Sequence, residues 1–265
     1  MLIVIKWYGA FKIEGNTKEK YIFPDEKRAD IIVKIREGDY SVLPFEDENI
    51  VFEGELKDRS TLISTAIEVA KKEMEVKLGD DYILIENLNT YDDLISTINL
   101  LNERLLEWDR IAEIKGKDMR SGEMLKKEIE TLEKLKEDIA DEIDDLSNVL
   151  CPNLAFLVGP IIAARLIASA GGLRRLANLP ASTIQVLGAE EAFFRHLKSG
   201  AKCPKHGIIF RVPWVRNSPK KLRGKIARAL AAKIAIAAKV DYYKGDFIGD
   251  KLKEEMEKRV EEIRK

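Results

Sequence analysis

The chain has only two cysteines, Cys151 and Cys203, and two histidines, His196 and His206, in 265 residues. Two thiols cannot build a disulfide framework, and the scarcity suits a reducing compartment. Cys203 and His206 stand at a zinc-like spacing, but a closed site pairs ligands two to four apart on both sides, and no second pair exists; no metal is expected. Long apolar runs are also missing. The longest, Leu154 to Ala164, is interrupted by Gly159 and Pro160, well short of the roughly 20 residues a bilayer span requires. The apolar start, Met1 to Tyr8, is too short for a signal peptide. No nucleotide-binding glycine loop, Gly-x-Ser-x-Gly elbow or His-Glu-x-x-His run occurs, so no catalytic signature is present. Paired acids such as Asp80-Asp81, Asp92-Asp93 and Asp144-Asp145 read as solvated faces. A soluble intracellular protein is the expectation.

Charge is what the chain has in abundance, at 34% of residues. The formal net of −1 conceals two halves of opposite sign divided near Cys151: residues 1–150 carry 22 Lys and Arg against 36 Asp and Glu, and residues 151–265 carry 23 against 10. Within 151–245 there are 17 basic residues and three acidic ones, Glu190, Glu191 and Asp241. Such a block produces a positive potential suited to a phosphate backbone.

The pattern predicts an α+β chain in three parts. Residues 1–85 form a small α/β module: Leu2 to Tyr8, Ala10 to Ile13 and Tyr21 to Phe23 are short and rich in β-branched and aromatic residues, separated by Gly9 and the Gly15-Asn16 turn signal. A helix follows from Pro24-Asp25-Glu26 to Arg36, then a strand from Asn49 to Phe52. Asp58 or Ser60 can cap the next helix, which runs to about Leu78 and turns Leu62, Ile63, Ala66, Ile67, Val69 and Ala70 toward a partner. Residues 86–150 carry a heptad seam, Leu94, Ile98, Leu101, Leu105 and Trp108, then Leu125, Ile129, Leu132, Leu135, Ile139, Ile143, Leu146 and Leu150. The polar break from Gly116 to Gly122 makes an antiparallel coiled-coil hairpin, its helices projecting about 35–40 Å at 1.5 Å per residue. Such an arm has little core of its own, so a homodimer is predicted through Leu94, Ile98, Leu101, Leu105, Trp108, Leu125, Ile129, Leu132, Leu135 and Ile139.

Residues 151–265 form the third, all-α part. Short helices follow Pro152, Ile208 to Val212 is an extended piece, and Ser218-Pro219 caps a long alanine-rich helix from Lys220 to about Tyr243. Lys220, Lys221, Arg223, Lys225 and Arg228 crowd its first turns, against the helix dipole, an arrangement that calls for an anion. Lys198, Lys202, Lys205, His206, Arg211 and Arg216 add to that field. Trp214 and Phe193-Phe194 interleave it with rings that either stack on bases or pack in the core. A solvated basic face is the bland alternative. Leu157 to Leu166 with Gly171-Gly172 weakly resembles a helix-hairpin-helix element, which leaves a DNA-binding or repair factor as one alternative and an RNA-acting enzyme as another.

Gly188 to Lys198, Pro204 to Phe210, Arg223 to Lys233 and Ala238 to Asp241 resemble, in that order, the Nop domain of the archaeal and nucleolar box C/D ribonucleoprotein proteins. The hairpin before it agrees with that family's coiled coil, and the N-terminal module resembles its fibrillarin-binding domain. The resemblance implies a scaffold: a C-terminal domain that binds box C/D guide RNA together with a ribosomal-type kink-turn-binding protein, a coiled coil that dimerises, and an acidic end that holds fibrillarin. That methyltransferase acts on the ribose 2′-hydroxyl and carries S-adenosylmethionine itself, so this chain needs no cofactor. The family's Gly-Ala-Glu-Lys element falls on Gly188 to Glu191 and its Ala-Leu-Phe-Arg element on Ala192 to Arg195, with Glu191 in place of lysine and Phe193 in place of leucine. These elements together with the basic field give the expected RNA-binding set: Gly188, Ala189, Glu190, Phe193, Phe194, Arg195, His196, Lys198, Lys202, Lys205, His206, Lys220, Lys221, Arg223, Lys225 and Arg228. An archaeal cytoplasmic location, with no membrane partner, follows from the same resemblance.

Overall fold

The computed structural model describes residues 2–14, 17–45, 50–52, 59–117 and 119–265, the side chains of residues 75–77 excepted. It divides into two compact units, Met1–Gly79 and Asp80–Lys265. The first boundary therefore falls before residue 85, and the hairpin and the C-terminal helices form one unit where two parts are predicted.

In the N-terminal unit, strands β1 (Leu2–Lys6), β2 (Gly9–Glu14), β3 (Thr17–Ile22) and β4 (Ile50–Phe52) form one sheet in the order β3-β2-β1-β4. β1 and β2 pair antiparallel with Lys6 opposite Gly9, so Trp7-Tyr8 makes the turn and Gly9 opens the second strand. The predicted third strand, Tyr21 to Phe23, begins earlier than expected, because the edge strand exposes Lys18, Glu19 and Lys20 and lacks apolar alternation. The Gly15-Asn16 signal lies outside the described residues; the β2–β3 register closes at Glu14 and Thr17. Helix α1 (Arg28–Arg36), entered through a 3-10 turn at Asp25–Lys27, buries Ile31 and Ile35 against Ile3, Ile5, Ala10 and Phe23 of the sheet side. Helix α2 (Arg59–Lys77) buries Val69 against Ala29 and Val33 of α1. Of the apolar face assigned to α2, Ile63 and Ile67 are exposed and line no core. Ser60 lies inside α2, and Asp58 falls outside the described residues.

The second unit opens with the hairpin, α3 (Asp80–Lys115) and α4 (Arg120–Leu150). At 36 residues α3 is roughly 54 Å long, longer than the seam from Leu94 implies. The added turns are not arm: Leu84 and Leu88 are buried in the same core as Ile143, Leu154, Leu166 and Leu230. Two carboxylates first read as solvated fasten this segment down. Asp81 Oδ2 accepts the Leu173 N–H at 2.8 Å, capping a helix that lacks a capping side chain of its own. Asp92 takes a two-point contact from Arg165, with Nη1 2.6 Å from Oδ2 and Nη2 on Oδ1. At the other end Gly122, counted with the turn, lies in the first turn of α4. A Cβ there would stand 3.2 Å from the Trp108 Cβ, so the missing side chain lets the helices close over the tryptophan.

Eight helices complete the unit: α5 (Pro152–Val158), α6 (Pro160–Ala170), α7 (Leu173–Asn178), α8 (Ala181–Val186), α9 (Glu190–Ser199), α10 (Pro213–Arg216), α11 (Arg223–Tyr242) and α12 (Gly249–Arg264). Among the described residues no single helix is long and apolar enough to cross a membrane. Helix α11 is the axis of the core. Its Ile226, Ala227, Leu230, Ala231, Ile234, Ala237 and Ala238 are buried, and alanine at four of those positions lets neighbouring helices approach closely. It begins at Arg223 rather than Lys220, after a turn in which Leu222 and Arg223 donate to the Pro219 carbonyl. Ser218 does not cap it; the buried Ser218 hydroxyl donates to the Trp214 carbonyl at 2.7 Å. At its far end Asp241 caps α5 with both oxygens: Oδ1 accepts from the Asn153 N–H (3.1 Å) and Nδ2 (2.8 Å), Oδ2 from the Leu154 N–H (2.9 Å). Asn153 Oδ1 in turn accepts the Ile248 N–H at 2.6 Å, tying in the start of α12. Burial pushes the Asp241 carboxyl up, against those hydrogen bonds, and burial beside Asp241 pushes the Cys151 thiol up to about 12.

Candidate nucleic-acid interface

Helix α9 buries no residue, yet it is amphipathic. Phe193, Phe194 and Leu197, spaced three and four apart, are all exposed, with Phe194 at 65% and Leu197 at 64%. The two phenyl rings meet edge to face with centroids 6.4 Å apart. An apolar helical stripe held out in solvent is the mark of a surface awaiting a partner. Leu197 is absent from the sequence-predicted set, although its spacing to the phenylalanines was a readable signal. Trp214, by contrast, packs against the core.

The loops around α9 are fixed by backbone contacts. Gly188, at φ +81°, donates its N–H to Glu190 Oε1 at 2.7 Å, so the Glu190 carboxylate holds the helix entry. Ala189 is the first flanking residue of α9. Gly200 ends the helix in the left-handed conformation, and the His196 Nδ1 contacts the Ala201 carbonyl just beyond it. The returning segment then passes back under the entry. Gly207 donates to the Gln185 carbonyl (3.0 Å), Ile208 to the Leu187 carbonyl (2.8 Å), and Gln185 Nε2 to the Lys205 carbonyl (2.8 Å). A Cβ on Gly207 would sit 1.9 Å from the Leu187 carbonyl oxygen, so no other residue fits there. The expected extended piece from Ile208 to Val212 is a 3-10 turn, because these contacts and the core burial of Ile209 curl it.

This returning segment is what joins the two predicted groups of cations. The Lys205 side chain lies along Gly224, 3.5 Å from where a Cβ would stand. The His206 ring stacks on Phe210 at 4.6 Å, and the Arg223 guanidinium sits 5.2 Å from the same phenyl. Burial, and then the Arg223 charge, hold the His206 imidazole below its ordinary range. Arg195, Lys198, Lys202, Lys205, Lys220, Lys221, Lys225 and Arg228 are exposed and have no carboxylate within ion-pair distance among the described residues. Arg165 and Lys233, by contrast, are spent on Asp92 and Glu255. The structure brings Gly188, Lys205, His206 and Arg223 together. Lys220 and Lys221 lie in the turn before α11 and not within its first turns.

In the arm, Ile98 and Ile129 are buried between α3 and α4, whereas Leu94, Leu101, Leu105, Trp108, Leu125, Leu132 and Ile139 are half-buried and Leu135 is exposed. Two helices can cover such a seam from one side only. Toward the base of the arm Ile139 and Leu146 pack against the core of the C-terminal helices, and at its tip Trp108 packs against Gly122 of α4, so Leu94, Leu101, Leu105, Leu125 and Leu132 are the half-buried seam positions between them.

The sequence matches the profile of the Nop family, described as "snoRNA binding domain, fibrillarin", over residues 56–262. It is 39% identical over 240 residues to an uncharacterised NOP5 family protein of Methanocaldococcus jannaschii, covering 70% of this chain and 58% of that protein. Nucleolar protein 58 of Schizosaccharomyces pombe is 42% identical over 129 residues, 49% of this chain and 25% of the relative. The chain thus spans little more than half the length of the archaeal relative and a quarter of the nucleolar one. A chain of the crystal structure named as the fibrillarin/Nop5p complex superposes with a TM-score of 0.58 at 33% identity, covering 97% of this chain and 98% of that one. With the hairpin and nearly every helix of the basic unit inside the matched segment, the chain belongs to the Nop family.

Proposed function

We propose that this chain is the noncatalytic scaffold of a box C/D guide ribonucleoprotein. On this reading the second unit binds a kink-turn RNA together with its kink-turn-binding protein, and the N-terminal unit holds a fibrillarin-type methyltransferase, which brings its own S-adenosylmethionine. The observation that carries the reading is α9: an exposed apolar stripe flanked by unpaired cations, on the segment where the chain matches a snoRNA-binding family. Phenyl rings supply base-stacking or protein-packing surface, and the cations supply the salt-dependent attraction to phosphate. A surface that is both apolar and basic fits a composite of RNA and protein better than bare duplex. The half-buried seam positions of the arm, Leu94, Leu101 and Leu132, are suited to a second copy of the same hairpin, and an archaeal cytoplasm is the fitting location.

The test is a gel shift with box C/D kink-turn RNA, with and without the kink-turn-binding protein, against a plain RNA duplex. Binding that requires the kink-turn protein is the expected result; equal binding to every RNA would reduce the basic unit to a general electrostatic surface. Sedimentation of the chain with Leu94→Glu and Leu101→Glu is expected to give a monomer that still shifts the RNA. Comparable affinity for duplex DNA would favour the helix-hairpin-helix alternative, and methyl transfer by the isolated chain would favour the enzyme.

A further inference from the structure

Arg223 differs from the cations around it. Its Nε donates to the Ser218 carbonyl at 2.9 Å and its Nη2 to the Arg216 carbonyl at 3.2 Å, while the guanidinium faces the Phe210 ring. Ser218 is itself buried and held, its hydroxyl donating to the Trp214 carbonyl and accepting from Arg264 Nη2 at 3.2 Å. Phe210 carries the stacked His206. The guanidinium therefore stands over an aromatic ring, with its donors turned toward backbone carbonyls at and just beyond the end of α10. Lys225 and Arg228, about half a turn and one and a half turns further along α11, are exposed and have no such tether among the described residues.

We propose that Arg223 is a positioning residue of the RNA surface and not one of its phosphate contacts: it latches the 216–222 turn to the Phe210–His206 stack. It thereby fixes the segment carrying Lys205 and His206 beside Gly188. Only arginine can do this. A lysine retains the charge but has neither the planar face for Phe210 nor the forked donors for two carbonyls. The inference rests on the RNA-binding reading above and assigns a different role within it.

Salt dependence separates position from charge, because each lost phosphate contact lowers the slope of log K against log salt by somewhat under one unit. The full chain and its K225Q, R223K, R223Q and F210L variants are titrated with kink-turn RNA and the kink-turn-binding protein over a salt series. K225Q is expected to flatten the slope. R223K and R223Q are both expected to weaken binding about tenfold at every salt concentration, with the wild-type slope. F210L, which leaves Arg223 in place and removes its ring, is expected to match R223K, and the double variant to be no worse than either single, as for two parts of one latch. The His206 ring resonances are expected to move in R223K, a local readout that a general loss of stability does not produce. R223K binding like wild type, or R223Q flattening the slope as K225Q does, would mean that the RNA reads the charge and would overturn the proposal alone. Absence of kink-turn-dependent binding by the wild-type chain would instead overturn the RNA reading, and this inference with it.

Discussion

Single residues in this chain are occupied in ways their type does not announce. Asp241, one of three acids in the basic block, is buried and accepts three hydrogen bonds at the start of α5. Asp241→Ala strands three donors, at roughly 1–3 kcal/mol for each unsatisfied buried group, and urea unfolding is expected to show a loss of about 3 kcal/mol or more. A change within about 0.5 kcal/mol would mean that water replaces the carboxylate. His206 makes the second prediction at this scale. Its imidazole is held below the ordinary histidine value of about 6.5, so below that pH the unfolded chain takes up a proton that the folded chain refuses. The contribution of His206 to stability is thus complete above the unfolded value and is lost as pH falls through it toward the folded one. An NMR titration should find the His206 midpoint below 6.5 in the wild type and higher in R223Q, which removes a neighbouring cation; an unchanged midpoint would place Arg223 away from the ring in solution.

Helices show most clearly which parts of the fold were legible in the sequence. The seam from Leu94 to Leu150 was readable because steps of three and four leave no strand alternative. The first turns of α3 were not, since their apolar residues Leu84 and Leu88 sit among Asp80, Asp81 and Glu86, and nothing local shows that two carboxylates serve Leu173 and Arg165. Gly122 misled in the opposite direction. Glycine marks a turn by its conformational freedom, but here it supplies room for Trp108. Gly122→Ala is therefore expected to be close to neutral, its helix-propensity gain of about 1 kcal/mol offset by the tight 3.2 Å approach. Gly122→Leu drives a branched side chain into the indole and is expected to cost about 1–3 kcal/mol, seen as faster hydrogen exchange across residues 105–126. Equal protection in both variants would mean that the arm tip closes without the Gly122–Trp108 contact. Among the C-terminal helices, cations and exposed rings could be found by composition, whereas Arg223 and Gly207 have roles set by backbone carbonyls of other segments and Glu190 by the Gly188 N–H, contacts to which no periodicity points.

At the scale of the whole chain the charge is more sharply divided than a split at Cys151 conveys. Of the acidic excess in residues 1–150, residues 1–79 account for 16 acids against 13 bases, and residues 80–150 for 20 against nine. The N-terminal unit is therefore only mildly acidic, and most of the acidity lies in the hairpin. Within the hairpin, residues 80–103 and 137–150 hold twelve acids and no base, while 104–136 hold eight acids and nine bases. Antiparallel pairing puts the two acidic stretches side by side at the base of the arm, and that base shares a core with the basic helices. Asp81 and Asp92 are occupied there; Asp80, Glu86, Asp93, Glu103, Glu137, Asp138, Asp141, Glu142, Asp144 and Asp145 are exposed. On the RNA-binding reading, a polyanion drawn to the basic helices is expected to meet a repulsive collar within the same compact unit, which disfavours long duplexes lying along the arm. Neutralising four of these groups together, Glu137→Gln, Asp138→Asn, Asp141→Asn and Glu142→Gln, is expected to raise affinity for plain RNA duplex about three- to tenfold near 50 mM salt, by the counterion logic of phosphate binding. The gain should fade as salt shortens the screening length from about 10 Å at 0.1 M to about 3 Å at 1 M, and binding of kink-turn RNA together with its protein, which the proposed function assigns to α9, should change less. Unaltered duplex affinity at low salt would show that the collar lies beyond the reach of any bound RNA and that the basic surface alone sets where it sits.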